Sequence, residues 1–369
     1  MIGLKIGVHM KLGFGLYKHM LNKAHFEFAR QCGATHLIVH MVDYFHGGEQ
    51  GAHDQPRGGL NGWGYAGDPN KIWSVDELVA LKREVESHGL VLWGIENFDP
   101  AHWFDILLDG KERKAQITKI SQTIRNVGRA GIGVIGYNFS LAGVAGRGSS
   151  RNLRGNAEGV AMHGRTELTD TPLPLGMVWN MVYDQNAPAG TLPSISHEEF
   201  WDRLKRFLDE VIPVAEESGV RLALHPDDPP LETVRGQPRL VYQPAMYDRV
   251  LKLVPSKSNA IEMCLGTIQE MTQGSVYEAC DQYTKNNNVP YIHLRNVAGK
   301  VPNYCETFID EGDIDILRIF RILQKNNYDG VIVPDHAPQM NSDAPWHTGM
   351  AFAMGYLKAA MTAATISNS

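Results

Sequence analysis

Four residues of this chain, His225, Cys264, His293 and Asp335, each close a short apolar run: RLALH, NAIEMC, YIH and VIVPD. Two imidazoles, a thiol and a carboxylate make a donor set for a divalent cation, soft enough for Zn²⁺ and equally open to Mn²⁺, Fe²⁺ or Co²⁺. Taken singly, a buried cysteine is usually a small hydrophobe, and a buried histidine a hydrogen-bonded core residue. Four successive runs ending alike weigh differently if the runs are neighbouring strands of one parallel barrel, because their C-terminal ends then share a rim. The thiol must ionise to bind, which a divalent cation promotes. Any coordination position left open would make the cation a Lewis acid.

Other groups gather at the same rim. His336 follows Asp335 and is an acid or base beside the cation. Arg295, two residues past His293, falls on the same strand face by period two and is expected to pair with a substrate carboxylate. Glu96 and Asn138 end two earlier apolar runs. Asp227 and Asp228 follow His225 in a Pro-flanked turn, where a structural and a catalytic role are equally open. Arg147 sits early in a long insertion and either reaches over the site or faces solvent. The glycine cluster at 143–148 matches neither a dinucleotide fingerprint nor a P-loop, and no G-x-S-x-G elbow is present.

The elements that must position these residues repeat one unit, an apolar run followed by a helix-period segment. Eight candidate strands are Leu4–Val8, His36–His40, Val91–Glu96, Gly133–Asn138, Arg221–His225, Asn259–Cys264, Pro290–Arg295 and Gly330–Asp335. Most are apolar throughout, as parallel strands covered on both faces are. Capping boxes at Ser74/Glu77 and Ser196/Glu199 open two of the helices between them, and Gly89 closes the first. Residues 114–130, 313–324 and 349–364 supply further helices. Eight such units predict an α/β fold, a (β/α)8 TIM barrel forming a single domain over 1–369. Gly-rich stretches at about 47–70 and 142–193 read as long insertions after strands 2 and 4, at the end of the barrel where active sites are elaborated.

The bulk composition bounds the partners. Hydrophobic residues make up 43% and charged residues 21% of 369, ordinary for a globular protein, and a net charge of -6 argues against a nucleic-acid partner. A small anionic substrate needs only a local cation. No stretch approaches the roughly 20 apolar residues of a membrane helix, and the N-terminus does not read as a signal peptide. Four cysteines without C-x-x-C spacing point to a reducing cytoplasm. A homo-oligomer is left open.

The segments KIWSVDELVALKREVESHGLVLWGIEN, GVIGYNF, IPVAEESGVRLALHPDDPP, EMCLGT, YIHLRN, EGDID and VPDHAPQM resemble the mannonate dehydratase family. HPDDPP, M-C-x-G, H-L-R and P-D-H in that order are highly specific, and the resemblance runs from about the second strand to the C-terminus. It implies a xylose-isomerase-like TIM barrel and a Mn²⁺-dependent lyase turning D-mannonate into 2-keto-3-deoxygluconate. Its metal ligands would be His225, Cys264, His293 and Asp335, its acid/base His336, and Asn138, Arg147 and Arg295 would hold substrate. Three motifs depart from the family. P-D-H-G-H-Q reads Pro334–Gln339 with Pro338 at the second histidine, F-H-E reads Tyr304-Cys305-Glu306, and Met350-Ala351 stand where an active-site tyrosine is expected. A shifted sugar acid, or a substitute proton carrier such as His347, is then expected, while Tyr356 is expected to pack inside. An isomerase or epimerase on the same barrel, and a binding paralogue without turnover, are the alternative readings.

Overall fold

The structure, a computed structural model, describes residues 10–48, 55–56 and 59–366. Eight parallel strands close a barrel: β1 Lys11–Leu16, β2 His36–His40, β3 Val91–Glu96, β4 Val134–Tyr137, β5 Arg221–Leu224, β6 Asn259–Cys264, β7 Tyr291–His293 and β8 Val331–Val333. Each strand hydrogen-bonds its sequence neighbours, and β8 pairs with β1 through Lys11↔Val331 and Leu12↔Ile332. Seven strands coincide with the sequence expectation or lie within its limits. The first does not: Leu4–Val8 lies outside the described residues, and the barrel strand is KLGFGL, two glycines included. Gly13 is needed there, since a Cβ would come within 2.3 Å of Val331 and 2.9 Å of Val333.

Helices alternate with the strands: α1 Lys23–Gln31, α2 Val75–Ser87, α3 Arg113–Arg129, α4 His197–Ser218, α5 Met246–Leu253, α6 Val276–Lys285, α7 Ile316–Lys325 and α8 Pro345–Ile366. The α2 box forms in full, with Ser74 accepting from the Glu77 amide and Glu77 from the Ser74 amide. At α4 only half of the expected box forms. Ser196 accepts from the Glu199 amide, while Glu199 turns to Arg203 one turn on, at 2.5 Å. The i,i+4 ion pair there competes with the cap.

The two insertions fold onto each other over the C-terminal rim. Gly64–Tyr65, from the first, pairs with Met181–Val182 from the second, which also pairs with Met177–Val178. Trp63, Trp179, Tyr44, Val42 and Met181 form a small apolar cluster beneath this sheet. A four-stranded antiparallel sheet joins Gly148–Ser150 and Gly159–His163 to Asn303–Thr307 and Asn296–Lys300. Among the described residues no helix is long and apolar enough to cross a membrane.

Candidate metal centre and cavity

The ends of β5, β6 and β7 bring His225, Cys264 and His293 together, with ligand atoms all within 4.8 Å of one another, Cys264 and His293 buried and His225 partly so. The His225 Nδ1 lies 2.6 Å from the Pro226 carbonyl oxygen. A carbonyl only accepts, so Nδ1 carries the proton and Nε2 presents its lone pair to the cluster, the outer-shell arrangement that fixes a ligand's tautomer. The His293 Nδ1 is buried without a hydrogen-bond partner, 3.5 Å from Asp335 Oδ1. Asp335 also stands 3.8 Å from the Cys264 sulfur. An orphaned imidazole nitrogen beside a thiol and a carboxylate is what a cation site looks like without its cation, since buried polar atoms otherwise find partners. These residues fit a divalent metal.

Burial and neighbouring charge oppose each other throughout the site. Burial opposes ionisation at Cys264, yet the Arg295 charge and hydrogen bonding with His225 and His293 bring the thiol down to about 6. Burial likewise disfavours the charged form of His225, but Glu262 and Cys264 lift it to about 9, so a cation bound at Nε2 would displace a proton there. Glu96, at the end of β3, is drawn down to about 2 against burial by His40 and His293, and its Oε2 lies 3.2 Å from His293 Nε2. Burial and the neighbouring Glu96 push Glu262 up to about 8.

The cavity above these ligands is lined by Glu96, Asn138, Arg147, Asp228, Asp335 and His336 among the expected residues. His336 is held between two carboxylates, Nδ1 at 3.0 Å from Glu306 and Nε2 at 3.3 Å from Asp335. These outweigh burial and raise its pKa. Arg147 Nη1 donates to Asp228 and to Glu306, both at 3.0 Å. Asn138 donates to Asn97 at 2.8 Å, and Asn97 donates to the Tyr44 hydroxyl at 3.1 Å. The turn after β5 divides its two acids. Asp227 caps the Leu240 and Val241 amides and pairs with Arg239, a structural role, whereas Asp228 faces the cavity.

Besides Cys264, which lies below the cavity floor, two expected residues do not line the cavity. Arg295 is 1% exposed and surrounded by Asp335 at 3.0 Å, Glu270 at 2.7 Å, and Asp228 and Thr267 at 2.9 and 3.1 Å. The period-two argument carried it past the strand: β7 stops at His293, and the chain then turns into Asn296–Lys300. His347 lies in the first turn of α8, its ring against Phe28 and Trp346. Met350 is buried and offers no hydroxyl, and Tyr356, expected inside, is 37% exposed.

Among the cavity residues that were missed are Tyr17, His40 and Tyr44. Tyr17 stacks on His40 at 4.6 Å, and His40 Nδ1 lies 2.8 Å from the Tyr44 hydroxyl. The strand-end rule applied to β2 would have found His40, and a correctly placed β1 would have found Tyr17. Because Tyr44 accepts from Asn97, its own proton is free to go to His40, whose protonation is disfavoured by burial.

A closed parallel barrel with N, S and O donors at its strand ends defines the class, a TIM barrel built around a candidate metal centre. L-ribulose 3-epimerase shares the fold, with TM-score 0.55, 13% identity and coverage of 96% of each chain. The family model described as D-mannonate dehydratase (UxuA) matches residues 10–152 and 173–368, and the chain belongs to that family. A mannonate dehydratase of Streptococcus suis (strain 05ZYH33) is 30% identical over 286 residues, 74% of this chain and 76% of the relative. One from Lactococcus lactis subsp. lactis (strain IL1403) is 30% identical over 292 residues, 72% of this chain and 79% of the relative. The crystal structure of mannonate dehydratase from Streptococcus suis serotype 2 superposes with TM-score 0.76 at 26% identity, covering 98% of this chain and 95% of that one. The unmatched span, 153–172, carries strand Gly159–His163, and next to it the Glu158 carbonyl accepts from the Gln339 amide just past His336.

Proposed function

We propose that the chain is a metal-dependent sugar-acid dehydratase, a hydro-lyase acting on D-mannonate or a closely related aldonic acid. The observation that carries this reading is the convergence of His225, Cys264 and His293 beside Asp335, under a cavity walled by Arg147, Asn138 and His336. Those four residues would hold the cation, for which we propose Mn²⁺ on the family's likeness. When bound, a divalent cation supplies Lewis-acid stabilisation of negative charge on the substrate's carboxylate side.

The chain's own residues do the rest. Arg147 has only Nη1 hydrogen-bonded among the described residues, so its remaining N–H groups are the cationic donors for a substrate carboxylate. Dehydration breaks C2–H, passing the proton to a base. It then breaks C3–O after an acid protonates the hydroxyl, so that water leaves and the enol becomes a 2-keto acid. His336, gripped by Glu306, is the proton carrier in this scheme, and the Tyr44–His40 pair lines the same cavity as a second proton-bearing unit. The four free thiols accord with a reducing cytoplasm as the setting.

Elemental analysis of purified wild-type, His225→Ala and Cys264→Ala proteins tests the centre. About one divalent cation per chain is expected in the wild type, with occupancy lost in both variants. Unchanged occupancy in both would sink the assignment.

A further inference from the structure

Each of the two insertions leaves one buried polar atom unmet at the cavity wall. Gln55 comes from the first insertion and Trp179 from the second, and both line the cavity that holds Arg147, Asn138 and His336. Gln55 is 5% and Trp179 3% exposed, yet neither Gln55 Oε1 nor the Trp179 indole nitrogen has a hydrogen-bond partner among the described residues. Neither group is charged or part of the ligand cluster. Buried amide oxygens and indole N–H groups ordinarily find partners, so two left open around one cavity point to a ligand that supplies them. Gln55 also borders a small recess with Glu306, His336 and Pro338, which puts its amide on the His336 side. Trp179 is held against its own backbone preference. Its φ is 49°, in the left-handed region that bulky residues avoid, and Asn180 follows at 57°. The Trp179 amide donates to the Leu141 carbonyl and the Trp63 amide to the Asn180 carbonyl, both at 2.7 Å. A Cβ on Gly143 would stand 2.8 Å from the Trp179 carbonyl carbon, so the glycine admits this approach. Trp63 and Tyr44 meet the indole in T-shaped contacts at 5.2 and 5.5 Å. Such strain persists where surrounding contacts over-determine it, and it collects at ligand clamps.

We propose that Gln55 and Trp179 are specificity-determining contacts to substrate hydroxyls beyond the two carbons that react, an inference that rests on the sugar-acid reading above. In that scheme the carboxylate, C2 and C3 engage the cation, Arg147 and His336, which leaves the hydroxyls from C4 onward for these two groups. A hydroxyl both donates and accepts, so it satisfies the indole N–H, and the amide whichever way that is turned. A methylene in its place satisfies neither. Sites that hydrogen-bond a hydroxyl reject the analogue lacking it far more strongly than apolar pockets reject a missing methylene. The ligand class is accordingly a polyhydroxy acid, and the insertions rather than the barrel discriminate among its members.

The test compares wild type with Gln55→Leu and Trp179→Phe, which remove the polar atom and keep most of the volume, once circular dichroism confirms folding. kcat/KM is measured on D-mannonate and the other aldohexonates, and on the 4-, 5- and 6-deoxy analogues of the acid turned over fastest. The wild type should turn over at least one analogue about 10–100-fold less efficiently than its parent, as expected for one buried group left unpaired. Each variant should lower kcat/KM on the parent by a similar factor and leave that analogue nearly unchanged, so that the discrimination disappears. A folded variant that slows the parent and every analogue equally, or leaves the parent unaffected, overturns the assignment of its residue. Should neither variant fold, a wild type that turns over every analogue like its parent overturns both. If the metal-loaded wild type turns over none of the aldohexonates, the dehydratase reading itself has failed and this inference falls with it.

Discussion

Arg295→Met is expected to destabilise the folded chain by about 3–5 kcal/mol, the range for removing one partner of a buried charge network. The guanidinium is the common cation of Asp335, Glu270 and Asp228, with Glu306 at 3.8 Å, and all but Asp335 are almost wholly buried. Methionine fills much of the volume and leaves these carboxylates facing one another. The fit is tight, since a Cβ on Gly266 would stand 2.5 Å from Arg295 Cγ and Nη1. Denaturant unfolding measures the loss, and a change below about 1 kcal/mol would mean that water or protonation compensates the site. Because Arg295 does not line the cavity, affinity for acidic and neutral sugars should fall together. A loss confined to acidic sugars would restore the direct carboxylate contact expected from the sequence.

His336→Gln is expected to lower kcat by about 10²–10⁴-fold, the usual contribution of a positioned acid or base, with little change in KM or bound metal. Glutamine still donates to Glu306 but cannot shuttle a proton. The imidazole is placed for that task by carboxylates at both nitrogens. Activity within about tenfold of wild type would shift the role to the Tyr44–His40 pair, and His40→Gln would then be the informative variant.

The limits of sequence reading follow from where each signal resides. β2, β3 and β6 were legible to the residue because apolar, β-branched runs with strand-end polar groups are local signals. β1 was not, because its Gly13 answers a close approach of Val331 and Val333 from the other end of the chain. Tyr17 was lost with it. The strand-end rule named donors on β5 to β8, and the structure gathers His225, Cys264 and His293 into one cluster with Asp335 beside His293. The rule overreached at Arg295, where period two was extended beyond the last strand residue. His347 falls before the helix expected at 349–364, although α8 already begins at Pro345. Two-residue strands such as Gly64–Tyr65 carry no pattern of their own and exist only through pairing with Met181–Val182. What the insertions build over the rim was therefore invisible until the chain was folded.

The central claim is that this cavity dehydrates a sugar acid, and one assay meets it directly. Metal-loaded protein is incubated with a panel of aldonic acids that includes D-mannonate, and 2-keto acid is followed with mass analysis of the product. Formation of a 2-keto-3-deoxy acid, one water lighter than its substrate and dependent on bound metal, is the predicted result. A product of unchanged mass, or no turnover of any acid by a fully metal-loaded chain, would contradict it.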